Sequence, residues 1–138
     1  LMANFGAPES GDRDASNAIR CAIAMQHSIT ELNAARTADS KPAISIAIGI
    51  HFGPVLIGNV GNEQRLEFAT LGDTVNSAAR LEHLARPLDA QIVISDGLVA
   101  AARAEGGEAV LTDFVQHGEE TLRGHDKAMK LWILPRSG

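Results

Sequence analysis

The sequence predicts helices packed on a β-sheet, in an α/β or α+β sandwich. Stretches with the three- and four-residue apolar spacing of helices alternate with short apolar stretches that have the two-residue period of strands. The 138 residues are 45% hydrophobic and 21% charged, which is typical of a folded domain and sufficient for one hydrophobic core. We therefore expect a single domain over residues 1–138.

The N-terminal part should contain a long helix. Residues 1–5 have the pattern of a strand end, and the acidic stretch that includes Asp12 and Asp14 indicates the start of a helix. This helix should run to about residue 36, with Ala15, Ile19 and Leu32 on its buried face. Cys21 lies among these apolar residues, so we expect it to be buried as well.

A strand is expected over residues 43–50, where isoleucines alternate with small residues. The isoleucine face should belong to the core, and the small face would allow a ligand, a loop or a second copy to approach closely. Residues 51–54 should form a turn, after which residues 55–58 return in a tight hairpin. Glycines at 58 and 61 should break this strand, which resumes over residues 66–71.

The next segments predict a helix, a buried strand and a shorter helix. Asp73 is the expected N-cap of a helix over residues 74–84, with Val75, Ala78 and Ala79 turned inward. Residues 90–94 are apolar throughout apart from one glutamine and should form a buried strand. Ser95 then caps a helix that ends near residues 106–107, and two last strands are expected over residues 109–116 and 129–134.

Composition excludes several classes of function. The net charge of −5 and the lack of a Lys/Arg cluster argue against nucleic acid as a partner. The single cysteine allows no internal disulfide and fits a reducing, cytoplasmic compartment. No apolar run approaches the roughly 18 residues that cross a bilayer. A Walker motif and a catalytic Ser-His-Asp or Cys-His pattern are also missing.

The helix over residues 74–84 should present an amide and a guanidinium on one face. Asn76 and Arg80 are four residues apart, so one helical turn stacks their side chains. The amide both donates and accepts, and the planar guanidinium fits phosphate oxygens, so the pair suits a ligand with a sugar and phosphates. The structural alternatives are a capping contact between Asn76 and Asp73, and an ion pair of Arg80 with Glu82 or Asp73.

The run GDTVNSAARLE, preceded by GIHFGPVLIGNVG, resembles the catalytic domain of class III adenylyl and guanylyl cyclases. The resemblance implies a ferredoxin-like α+β sandwich and a homodimer whose two antiparallel chains form the active sites between them. It also implies conversion of ATP, or alternatively GTP, to the 3′,5′-cyclic nucleotide and pyrophosphate. Asn76 matches the asparagine that positions the ribose, and Arg80 matches the arginine that stabilises the transition state on the phosphates.

Three further positions concern substrate binding. Ala69 stands where adenylyl cyclases carry Asp or Thr and guanylyl cyclases often carry Cys, and its methyl group cannot hydrogen-bond a purine. The neighbouring Thr70 should lie on the opposite face of its strand. His125 occupies the place of a family lysine that contacts the triphosphate, with Lys127 or Arg123 as a substitute and a solvated turn as the structural alternative. ATP is the preferred substrate because bacterial-looking members of the family usually use it.

The family holds two divalent metals, Mg²⁺ or Mn²⁺, through two aspartates. One of them precedes the strand that ends in Phe-Gly, which is Phe5-Gly6 here, so both are expected ahead of residue 1. Asp12, Asp14 and Asp39 do not match these positions. The resemblance therefore implies the C-terminal two-thirds of a cyclase domain, with its N-terminal part missing, and we expect these 138 residues to be inactive alone.

A non-catalytic alternative is a degenerate cyclase-homology domain that dimerises or binds nucleotide as a regulator. It is motivated by the two departures from the family pattern at Ala69 and His125.

Overall fold

The structure, a computed structural model, describes residues 1–7, 9–54, 56–62, 65–71, 73–121 and 128–136, and within 56–71 it describes the backbone alone. Helices and strands alternate along this part of the chain. In order they are α1 (Asp14–Ala38), β1 (Ile48–Ile50), β2 (Leu56–Asn62), β3 (Arg65–Leu71), α2 (Asp73–Leu84), β4 (Ala90–Ser95), α3 (Asp96–Ala104), a 3-10 helix (Glu108–Leu111), β5 (Val115–Thr121) and β6 (Ala128–Pro135).

Four strands form a mixed sheet in the order β1-β4-β6-β5. β1 runs parallel to β4, whereas β6 runs antiparallel to both β4 and β5. Because two parallel strands need a long connection between them, β2, β3 and α2 all lie between β1 and β4 in the sequence. This connection brings α2 back onto the sheet, which is the arrangement that positions the candidate site.

The core occupies both faces of the sheet, and β4 separates its two layers. Ile92 and Ile94 pack with Ile19 of α1 in one cluster, together with residues of α3. Val93, which alternates with them, packs with Leu81 of α2 in the other cluster. β4 is therefore buried on both faces, which explains why its sequence is mostly apolar and does not alternate with polar residues.

Two polar side chains of α1 hold the segment that precedes β1. Gln26 is 7% exposed, and its Nε2 donates to the carbonyl oxygens of Ile46 at 3.2 Å and Gln91 at 2.9 Å. The amide group of Asn33 forms two hydrogen bonds of 2.7 Å with the backbone of Ile44. α1 thus supplies hydrogen bonds that a neighbouring strand would otherwise supply.

Glu105, just after α3, caps the N-terminus of α1. Its carboxylate accepts hydrogen bonds from the backbone N–H groups of Ala15 and Ser16, at 3.1 and 2.9 Å, and from the Ser16 hydroxyl at 2.7 Å. Burial alone would raise the pKa of Glu105, but the hydrogen bonds from Ser16 and Ala15, with the charge of Arg20, hold that pKa below its usual value. The carboxylate therefore stabilises the packing of α1 against α3 in its ionised form.

The strand predictions need three corrections. Residues 1–5 form no strand, since no described strand lies beside them to complete a ladder of hydrogen bonds. Residues 43–47 are not part of β1, and side chains of α1 bond to the carbonyl groups of Ile44 and Ile46 where a strand partner was expected. Residues 108–111 form a 3-10 helix instead of the start of a strand, and β5 begins at Val115.

The predicted hairpin is also displaced along the chain. β2 pairs with β3 rather than with β1, in an antiparallel ribbon whose register runs from Leu56–Leu71 to Asn62–Arg65. The glycines at 58 and 61 do not interrupt this ribbon, because each pairs through its backbone with a residue of β3. The ribbon lies apart from the four-stranded sheet.

The prediction of α1 is correct in extent but wrong for two side chains. Cys21 is exposed, since its neighbours Ala18, Ile19 and Ala22 occupy the buried face and successive residues lie about 100° apart around a helix. Leu32 is 45% exposed because the buried residues of α1 end at Gln26, and the later turns extend beyond this contact. In the described part of the chain, helix length and hydropathy together exclude a membrane-crossing helix.

Candidate functional site

The candidate site is the outer face of α2, and its position depends on how the inner face meets the sheet. Ser77 and Leu81 are 2% and 0% exposed, and Ala85, just after the helix, is 0% exposed. The helix approaches β1 so closely that a Cβ on Gly49 would collide with the backbone nitrogen of Glu82 and lie 2.6 Å from the carbonyl oxygen of Ala78. The small-residue face of β1 is therefore covered by α2, not by a ligand, a loop or a second copy.

Asn76 and Arg80 lie together on the side of α2 that is turned away from this contact. At about 100° per residue the two positions are about 40° apart around the helix, and the buried Leu81 lies about 140° from Asn76. Asn76 is accordingly exposed, whereas Arg80 is half-buried. The inward position predicted for Ala79 is wrong, because that residue is exposed.

Neither structural alternative for these two side chains is present. Glu82 pairs with His83 at 3.5 Å rather than with Arg80. Within the described residues, Arg80 forms no ion pair with Asp73, and Asn76 forms no hydrogen bond with it. The helix begins at Asp73 itself, one residue earlier than predicted, so this carboxylate lies in the first turn near the helix N-terminus.

The start of α2 is attached to the turn that follows β1. The hydroxyl of Thr74 donates to the carbonyl oxygen of Pro54 at 2.6 Å. In the same turn, Nδ1 of His51 lies 2.8 Å from Oγ of Ser95, a buried residue whose hydroxyl also accepts from the backbone N–H of Leu98 at the start of α3. His51 begins the turn expected over residues 51–54, and the structure shows that it also links this turn to the core.

The substrate positions are described only in part. The backbone of Ala69 pairs with Gly58, and that of Thr70 with Ile57, in a register without any shift at this point. His125 and Lys127 lie outside the described residues, as does Arg123. The site that the structure describes is therefore the helix face carrying Asn76 and Arg80.

Sequence reasoning missed the residues that position this face. Gly49 was recognised as part of a small-residue face, but nothing in the alternation identified α2 as the element that covers it. The hydrogen bond between Thr74 and Pro54 joins residues 20 apart and has no local sequence signature. The contact of Gly49 with α2 did have a signal in the sequence, because a helix that follows two paired strands must return to the sheet.

The described residues do not fit a metal site of the kind that the resemblance implies. Among them, His, Cys, Asp and Glu side chains form no group of three or more that could ligate a metal ion.

Comparison with known proteins relates this chain to nucleotide cyclases. The family model for the adenylate and guanylate cyclase catalytic domain matches residues 1–135. Adenylate cyclase 1 of Rhizobium meliloti (strain 1021) is 34% identical over 103 residues, which are 75% of this chain and 16% of that protein. The chain thus spans less than a fifth of the length of this curated relative.

Two solved structures show the same fold. The adenylyl cyclase CyaB from P. aeruginosa has a TM-score of 0.78 at 23% identity, covering 97% of this chain and 66% of that one. The guanylyl cyclase Cya2 has a TM-score of 0.71 at 27% identity, covering 94% and 61%. The α+β fold that the resemblance implied is confirmed.

Proposed function

Because the chain belongs to the family of adenylate and guanylate cyclase catalytic domains, we propose that it is part of an adenylate cyclase. The proposed reaction converts ATP to 3′,5′-cyclic AMP and pyrophosphate for cyclic nucleotide signalling. The observation that carries this proposal is the arrangement of α2. Its inner face is fixed against β1 at Gly49, while Asn76 and Arg80 lie together on its open face without a partner among the described residues.

In the proposed reaction the ribose 3′-oxygen attacks the α-phosphorus of the same ATP molecule. A new P–O bond forms, the bond to the bridging oxygen of the β-phosphate breaks, and pyrophosphate leaves as the 3′-hydroxyl loses its proton. Most of the rate enhancement must come from positioning and from stabilising charge on the phosphoryl oxygens. These are tasks for which an amide and a guanidinium are suited.

Asn76 is proposed to orient the ribose, since its amide can donate to one sugar oxygen and accept from a hydroxyl. Arg80, one turn further along the helix, is proposed to donate to the phosphoryl oxygens as negative charge accumulates on them. Its half-buried position reduces screening of the guanidinium by water, which strengthens the interaction with a phosphate. A lysine could not reproduce the planar fork of donors.

A homodimer is proposed to complete the site, with nucleotide bound between two chains. On the open face of α2, Asn76 is exposed and Arg80 is half-buried in the single chain, so a second copy can approach this face without unfolding either partner. Two-fold symmetry would then place two equivalent sites in the dimer. Mg²⁺ or Mn²⁺ is proposed to be bound by carboxylates outside the described residues.

The choice of ATP over GTP is supported by the relative named adenylate cyclase, which is 34% identical. Guanylate cyclase is the second candidate, because the guanylyl cyclase Cya2 has a similar fold at 27% identity. A non-catalytic regulatory domain is the third, because Ala69 offers no side-chain group that could recognise a purine. The two cyclases would use the same nucleotide site and differ in their product, whereas the regulatory domain would form no cyclic product.

The test is a product assay with a chain extended on its N-terminal side, incubated with ATP or GTP and either Mg²⁺ or Mn²⁺. Chromatography should show cyclic AMP from ATP and little cyclic GMP from GTP. Calorimetric titration of the same nucleotides separates the alternatives. Binding without any cyclic product would support the regulatory domain, and cyclic GMP as the main product would support guanylate cyclase. The 138 residues alone should give no product, and metal-dependent activity from them would contradict the proposal.

A further inference from the structure

We infer that Thr74 is a positioning residue for this site, and that its hydroxyl sets the location of Asn76 and Arg80 relative to the turn after β1. The inference rests on the proposed function, because positioning matters only if α2 carries the groups that act on the nucleotide. Thr74 is not proposed to touch the substrate itself, and its contacts lie on the inner side of α2.

The contact between Thr74 and the turn is short, and the hydroxyl of Thr74 lies close to the backbone of Gly53. Its hydroxyl donates to the carbonyl oxygen of Pro54 at 2.6 Å, which is near the short end of the range for an O–H···O hydrogen bond. A Cβ on Gly53 would lie 2.6 Å from the same hydroxyl oxygen and 3.4 Å from the Thr74 methyl carbon. The side chain of Thr74 therefore lies against the turn, and the absence of a side chain at Gly53 makes this close approach possible.

The turn that carries the Pro54 carbonyl is held at its other end. The pyrrolidine ring also restricts φ of Pro54. At the other end of the turn, His51 lies within hydrogen-bonding distance of Ser95, which is 1% exposed. Ser95 ends β4 and caps α3, so the turn is connected to the centre of the sheet. Thr74 thus attaches the first turn of α2 to the most buried part of the fold.

Two attachments on its inner side locate α2. The first is Thr74, and the second is the close approach of Ala78 and Glu82 to Gly49, one to two turns later. Asn76 follows the first attachment by two residues and lies about 160° from it around the helix. Any shift of the helix start would therefore be transmitted to Asn76 on the opposite side, while the core contacts at Leu81 could remain in place.

The experiment compares three variants of the chain extended on its N-terminal side. Thr74→Val keeps the shape of the side chain and removes the donor, whereas Thr74→Ser keeps the hydroxyl. Thr112→Val is the matched control, because its hydroxyl also donates to a carbonyl, that of Ala109 at 2.8 Å, in the 3-10 helix region. Thermal unfolding, kcat and KM for ATP are measured for each.

Thr74→Val should lower kcat between about 10-fold and 10²-fold, with a much smaller change in KM, because a small displacement of positioned groups chiefly affects the transition state. Thr74→Ser should restore most of kcat. Thr112→Val should leave kcat unchanged even if its unfolding temperature falls as much as that of Thr74→Val. Wild-type kcat in Thr74→Val, or a loss that Thr74→Ser does not restore, would overturn the inference.

A second measurement does not depend on catalysis. Hydrogen exchange of the amides of residues 77–80, which bond to carbonyls of the first helical turn, should be faster in Thr74→Val than in Thr74→Ser. Equal hydrogen exchange in the two variants would show that the Thr74 hydroxyl does not attach α2 to the turn, whatever kcat the variants have. If instead exchange changes but no cyclic product is formed by the wild type, the proposed function fails while the attachment of α2 stands.

Discussion

Gly49 lies so close to Ala78 that a Cβ on the glycine would be 2.6 Å from the carbonyl oxygen of Ala78. The helix that carries Asn76 and Arg80 therefore meets the sheet through backbone atoms at this point. A flexible side chain could move aside, but the helix backbone can yield only if the whole helix shifts. The absence of a side chain at Gly49 thus determines how far α2 lies from the sheet.

Gly49→Ala should destabilise the protein by about 1–3 kcal/mol, because the added methyl group overpacks the contact with α2. It should also reduce cyclase activity of the extended chain, since α2 must move. Gly97→Ala is the matched control, because a Cβ there would meet nothing within 4 Å. Gly97 is the exposed second residue of α3, so alanine there should change stability by less than about 0.5 kcal/mol. Urea unfolding that showed equal stability for both variants would contradict this contact.

Glu105 should make stability depend on pH in the acid range. Because hydrogen bonds from Ser16 and Ala15 hold its folded-state pKa below the unfolded value, its contribution is fully present above the unfolded pKa. That contribution is lost as the pH falls through the folded-state pKa. Glu105→Gln should therefore be less stable than wild type at neutral pH by about 1 kcal/mol, as expected for a lost helix cap, and the difference should shrink in acid.

The control for this prediction is Glu108→Gln. Glu108 forms an ion pair with Arg103 at 3.1 Å in which both side chains are largely exposed, so its removal should change stability little. The free energy of unfolding would be measured for both variants from neutral pH down to acid. A difference between wild type and Glu105→Gln that stays constant across this range would show that the charge of Glu105 has no role.

Gln26→Leu should destabilise the protein by about 1–3 kcal/mol, because it leaves the carbonyl oxygens of Ile46 and Gln91 without their amide donor. Arg136 also approaches the Ile46 carbonyl, but at 3.4 Å it is a weak replacement. Gln116→Leu, at an exposed position of β5, is the control and should change stability by less than about 0.5 kcal/mol. Unfolding is followed by fluorescence of Trp132, the single tryptophan. Equal midpoints for the two variants would refute the buried role of Gln26.

The elements that the sequence predicted well are those whose signals are local. α2 and α3 begin within a residue of the predicted positions, since caps and helical spacing are encoded in adjacent residues. β4 was recognised because burial on both faces makes it almost continuously apolar over residues 92–94. The face shared by Asn76 and Arg80 followed from helical geometry alone.

What could not be predicted depends on partners far apart in the sequence. The capping of α1 by Glu105 joins residues 89 and 90 positions apart, and no local pattern marks it. Residues 43–47 alternate like a strand, yet Asn33 and Gln26 of α1 bind their backbone instead. The covering of Gly49 by α2 likewise required the three-dimensional path of the chain.

The catalytic role of Arg80 is tested most directly by the turnover of ATP by Arg80→Ala in the extended chain, compared with that of Arg86→Ala. Arg86 is an exposed arginine just beyond the same helix, so its removal controls for loss of positive charge. Arg80→Ala should lower kcat on the order of 10²-fold or more while ATP still binds, and Arg80→Lys should not restore it. Arg86→Ala should retain kcat. Wild-type kcat in Arg80→Ala would remove this residue, and with it the proposed role of the open face of α2, from the mechanism.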